Sequence, residues 1–169
     1  MASGQTDSYS KEGIIMTTLT VVRAGLFALT LVALGFVPGV SVANPPSATG
    51  HGDFLNEGQL RAFSFSAIQQ PNGKVAGQAE LRNQTTGVVV HMDVVCLRVE
   101  GNTAFVSGTI TNSNDPTLEG RTVAFIAQDN GEGTNSPSDK LSMLAFANCS
   151  DLLVLDLFDI QHGNIQVRP

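Results

Sequence analysis

Between Lys74 and Arg82 (KVAGQAELR) the chain alternates with a period of two: Val75, Gly77, Ala79 and Leu81 share one parity. Lys74, Gln78, Glu80 and Arg82 share the other, with Ala76 among them. Such alternation predicts a strand buried on one face and wet on the other. The preceding strand, Leu60 to Ile68, is joined to it through Gln70-Pro71-Asn72-Gly73, where Pro sets φ and Asn-Gly accepts positive φ. Further strands are predicted at Gly87 to Val99, Thr103 to Thr111, Arg121 to Asp129 and Lys140 to Ala147, with a short last one at Asn164 to Val167. Within Gly87 to Val99 the apolar parity changes. Val88, Val90, Met92 and Val94 share one face, whereas Val95, Leu97 and Val99 share the other, which predicts a β-bulge near Val94-Val95. Ser150 to Ile160 (SDLLVLDLFDI) fits a strand, a short helix or an apolar loop.

No segment after residue 43 keeps a helical stripe over ten residues. Seven or eight strands joined by short turns must pair or cover their edges. Nearest-neighbour hairpins favour an all-β, antiparallel up-and-down meander that closes into a barrel-like fold, with a β-sandwich as second choice. The small residues Gly77, Ala79, Ala104 and Gly108 suit a tightly curved wall.

The pattern ahead of these strands is different. Ala24 to Val37 is a run of fourteen residues without a charge, preceded by Arg23 and followed by Ser41-Val42-Ala43. This predicts a secretory signal peptide cleaved after Ala43. As a helix the run would cover about 21 Å, short of the roughly 30 Å hydrocarbon core of a membrane. Residues 1–43 are therefore read as an N-terminal extension and signal peptide, with Met1 or Met16 as the start, because Asp7 and Glu12 outweigh Lys11 before Met16. Residues 44–58 are Pro/Gly-rich and read as a flexible leader, with a first short strand at its end as the alternative; residues 59–169 form a single β domain. The expected location is extracellular, with no membrane association after cleavage.

In an exported chain the two cysteines, Cys96 and Cys149, predict a disulfide. Closing that loop contributes about 4 kcal/mol by chain entropy. Two buried thiols are the alternative. The spacing of the cysteines and histidines matches neither a redox CxxC pair nor a zinc finger.

Charge narrows the function classes. Nine basic residues face 15 acidic ones, a net charge of −6, and no basic run is present, which excludes electrostatic binding of nucleic acid. With no Trp and one Tyr, stacking platforms for sugars or bases are scarce. The loop Asp129 to Asp139 (DNGEGTNSPSD) offers Asp129, Asn130, Glu132 and Asp139 as oxygen ligands for Ca²⁺, although its spacing is not that of an EF-hand. A solvated turn is the alternative. Of the three histidines His51, His91 and His162, His91 lies in a predicted strand with Asp93 two residues on and so on the same face, which would permit a His-carboxylate pair. The chain has no GxSxG elbow, no HExxH and no Gly-rich phosphate loop, so no catalytic residue is assigned.

Asp129-Asn130-Gly131-Glu132-Gly133 between two strands, together with Gly163-Asn164-Ile165-Gln166-Val167 near the end, resembles a family of secreted bacterial β-domains. In that family a D-N-G-E loop joins two strands and the chain closes on G-N-I-Q-V. The resemblance runs from about Lys74 to Pro169, implies export and a β fold, and brings no activity with it. Asp151 to Phe158 departs from it in being more apolar than a plain inter-strand loop.

These readings point to a secreted, non-catalytic β domain with a binding or surface-structural role. Its partner would be a protein, a polysaccharide or a small apolar ligand. The alternative is a lipocalin-like barrel carrying a small apolar molecule, with Phe63, Phe65, Met92, Phe125, Met143 and Phe146 lining its cavity. Such a carrier needs an interior of at least about 300 Å³, whereas a structural domain fills its own core. An enzyme would instead bring at least two titratable groups together in a pocket, with His91, Asp93 or His162 among them.

Overall fold

Eight antiparallel strands follow one another in chain order and close into a barrel, β1-β2-β3-β4-β5-β6-β7-β8. They are β1 (Ser47–Asn56), β2 (Gln59–Gln69), β3 (Val75–Asn83), β4 (Val89–Glu100), β5 (Thr103–Ser113), β6 (Thr122–Gln128), β7 (Lys140–Ser142) and β8 (Leu157–Arg168). This computed structural model describes residues 44–169, so the signal peptide expected over residues 1–43 lies outside the described residues. Among the described residues, no helix is long and apolar enough to cross a membrane.

Strands β2 to β6 form where alternation predicts them, within two residues at either end. The bulge also falls where the parity changes. Val94 lies opposite Gly108 and Cys96 opposite Ser107, leaving Val95 unpaired and 60% exposed. Before it, Val90, Met92 and Val94 face the core; after it, Leu97 and Val99 do, and Cys96 and Arg98 turn outward.

The leader expected over residues 44–58 is instead a ten-residue strand, β1, that pairs with β2 along its whole length and with β8 from Ser47 to Phe54. Its glycines conceal it, because strand propensity reads Gly as a breaker. Close packing accounts for them. A Cβ on Gly50 would lie 2.6 Å from Cε1 of Phe65. Gly52 and Gly163 face each other across the β1–β8 seam, and a Cβ on either would collide with a carbonyl of the other strand.

The other corrections fall near the C-terminus. The strand expected over Lys140 to Ala147 stops at Ser142, where the Ser142 hydroxyl accepts the Ile126 amide at 2.8 Å in place of a backbone carbonyl. The last strand begins at Leu157 rather than Asn164, so the ambiguous segment divides into irregular chain and strand.

A run of phenylalanines crosses the interior: Phe158, Phe54, Phe63, Phe65 and Phe125 have successive ring centroids 5.8, 6.2, 6.2 and 5.1 Å apart. Met92, Ile110, Leu141 and Ile165 fill the remaining space. Of the six residues expected to line a cavity, Phe63, Phe65, Met92 and Phe125 are packed into this core. Phe146 is outside it, 61% exposed beneath the Arg121 guanidinium at 4.3 Å. The outward faces of the first four strands carry His51, Asp53, Ser64, Ser66, Gln78, Glu80, Arg82, His91 and Asp93. These outward positions are polar and the inward ones apolar.

After β7 the chain crosses the outside of the barrel as a strap. Ala145 exchanges backbone hydrogen bonds with Ala124, and Cys149 is bonded to Cys96. The strap covers a second apolar cluster of Phe105, Ala124 and Ala147. Because this cluster is separate from the barrel core, replacing both cysteines by Ala is expected to lower stability by at most about 4 kcal/mol. Hydrogen exchange of the variant should show protection lost over the strap and kept across the β1–β8 seam. Loss of protection at the seam would contradict this division.

Candidate functional site

The β1–β2, β3–β4, β5–β6 and β7–β8 connections converge on one end of the barrel. Hydrogen bonds between them shape it. Asn83 Oδ1 accepts the Thr85 and Thr86 amides at 3.0 and 3.1 Å, which folds the β3–β4 turn. The Gln84 amide donates to Leu60 O, tying that turn to β2. Asn114 then links the β5–β6 loop to the same turn, accepting the Val89 amide at 2.8 Å and donating to Gly87 O at 2.9 Å. The hydroxyl of Thr117, and then its amide, donate to Asp115, holding that carboxyl below the usual range.

These loops enclose an apolar pocket of about 270 Å³. Phe54, Leu81, Val88, Leu118, Met143 and Leu144 supply apolar wall, and Arg61, Arg82 and Asn83 supply polar groups. Arg61 has the parity of Phe63, Phe65 and Ala67 and so lies in the inward row of β2. Its Nη2 donates to Gln59 Oε1 at 3.0 Å, and Asn83 Nδ2 donates to the same oxygen at 2.8 Å. The Nε of Arg61 is buried with no hydrogen-bond partner. Met143 is the one expected cavity residue that lines this pocket. The others were expected there for their size, whereas the pocket is lined at the loop-bearing end. The available signal was an Arg on the inward parity of an otherwise apolar row.

At the opposite end lies the Asp129–Asp139 loop, which meets the Asn164–Val167 segment of β8. Asp129 Oδ1 accepts the Gly131 amide at 2.8 Å and its Oδ2 the Val167 amide at 2.9 Å. Asp139, 6% exposed, accepts the Asn130 amide at 2.8 Å and the Ile165 amide at 2.7 Å. Glu132 Oε1 accepts Asn164 Nδ2 at 2.8 Å, and Asn130 Nδ2 donates to Ser138 O at 2.6 Å. The residues expected as calcium ligands thus hold loop and strand together. Among the described residues, no group of three or more His, Cys, Asp or Glu side chains is gathered for a metal.

A second concavity, an open groove of about 410 Å³, runs over the outer face of β2, β3 and β4. Glu80, His91 and Asp93 line it together with Ser64 and Ser66, so titratable groups do converge in a concavity here. His91 Nδ1 is 3.4 Å from Glu80 Oε2 across the strands. In the register Ser64 lies opposite Glu80 on one side and His51 on the other, and among the described residues its hydroxyl is hydrogen-bonded to neither. His162 is paired elsewhere, with Nδ1 3.1 Å from Asp53 Oδ1.

Comparisons with protein-family models, curated proteins and solved structures gave no match.

Removing the Asp139 carboxylate leaves two amides without acceptors, one of them inside the structure. Asp139→Ala is expected to cost about 3 kcal/mol by denaturant titration, the scale of charge-assisted hydrogen bonds lost with their donors buried. Millimolar Ca²⁺ or EDTA should leave the melting temperature of the wild-type protein unchanged. A rise with Ca²⁺ that EDTA reverses would show that the loop binds the ion in its folded form.

Proposed function

We propose that the chain is an exported, non-catalytic binding domain that takes a small apolar ligand at the loop-bearing end of its barrel. The observation that carries this reading is the apolar pocket between Leu81, Val88, Leu118, Met143 and Leu144, about 270 Å³ in volume. That is just under the roughly 300 Å³ at which sites for drug-sized ligands begin, so the ligand is small. The phenylalanine-filled interior argues against a passenger enclosed within the barrel, as in a lipocalin. The loops that shape the pocket are hydrogen-bonded to one another, so little ordering cost falls on binding. Export is supported by the Cys96–Cys149 bridge, since such bonds persist in oxidising compartments. It is supported also by the leader sequence before Asn44.

The test is a titration with octanol, a neutral probe, followed through the methyl resonances of the protein. Shifts are expected at Leu81, Val88, Leu118 and Met143, saturating with probe concentration. Leu118→Trp, which places an indole in the mouth, should abolish them while the protein stays folded. Absence of saturable shifts in the wild-type protein, or shifts that the tryptophan leaves untouched, would refute the assignment.

A further inference from the structure

Resting on that reading, we infer that the ligand carries an anionic head, a carboxylate, and that Arg61 receives it. Fifteen acidic residues outnumber nine basic ones in the chain, yet the pocket is lined by two arginines and by no aspartate or glutamate. Arg82 is tethered outward, its Nη2 3.9 Å from Glu80 Oε1. Arg61 has no acidic partner among the ion pairs of the described residues. One of its nitrogens is oriented by Gln59, and Gln59 is fixed in turn by Asn83. The Nε–H is buried and unpaired.

An inward guanidinium with an unmatched donor is costly unless an acceptor comes to it. A carboxylate matches the Arg61 guanidinium at the pocket wall, because the planar fork of arginine meets its two oxygens with parallel hydrogen bonds. The apolar wall then takes the remainder of the ligand. At the packing density of protein interiors, about 0.75, a space of 270 Å³ holds about 200 Å³ of ligand. The class that fits both features is a medium-chain aliphatic monocarboxylate. Gln59 and Asn83 act as positioning residues in this account, and the recognition group is Arg61.

Octanoate and octanol share a chain length and differ in the head group, so their comparison isolates the inference. Titrated by calorimetry or NMR, the wild-type protein is expected to bind octanoate at least about tenfold more tightly than octanol, the scale of a charge-assisted hydrogen bond. The Arg61 Nε–H resonance should move with octanoate and stay in place with octanol. Arg61→Gln should bring the two affinities together by weakening octanoate alone. The wild-type comparison decides the matter even where that variant does not fold. Equal affinities for the two probes would overturn the carboxylate assignment and leave the apolar site standing. Failure of both probes to bind would remove the site itself.

Discussion

Two backbone amides on the last strand, those of Ile165 and Val167, point away from β1 toward a side where no strand lies alongside them. β7 is three residues long and pairs with β8 only from Leu157 to Asp159. The carboxylates of Asp139 and Asp129 complete the wall beyond that point. An unpaired buried amide costs about 1–3 kcal/mol, so a barrel left open at this seam would lose much of a small domain's net stability. The acidic loop thus does the work of a missing strand. The Asp129–Glu132 and Asn164–Val167 segments are complementary here: the first supplies carboxylate acceptors and the second the donors. Asn102 extends the clasp to the β4–β5 turn, donating to Asp129 O at 2.7 Å.

Closure at one end leaves the other free to differ. The clasp and the short β4–β5 turn hold the motif-bearing end with polar side chains. The loop-bearing end is held by Asn83 and Asn114 around an apolar hollow. The phenylalanine run separates the two ends and makes the interior solid. The strap, bonded through Cys96–Cys149, protects a satellite cluster on the outside. Leu152 and Val154 nevertheless remain 90% and 99% exposed on it. The apolar concavity thus lies at the loop-bearing mouth of the barrel.

Local alternation made the central strands legible in the sequence. β2 through β6 carry enough apolar residues on one parity to identify themselves, and the change of parity at Val95 identified the bulge. The disulfide was legible from the even cysteine count and the expected export. What escaped was set by packing between distant segments. β1 reads as a leader because Gly50, Gly52 and Gly163 are there for close approach, which only the folded seam reveals. β7 is cut short by one serine hydroxyl. The clasp of the acidic loop escaped because its acceptors were visible in the sequence, whereas two of the amides they accept lie 26 and 38 residues further along. Arg61 was legible in principle, as a charge on an inward row, yet the large aromatics drew the expectation toward the interior.

Native-state hydrogen exchange at Ile165 and Val167 tests the clasp most directly. Both amides should exchange only through global unfolding, as slowly as the core amides of β5, despite having no strand partner on that side. Exchange as fast as in the β2–β3 turn would show that the carboxylates do not hold the seam, and that the barrel closes by some other means.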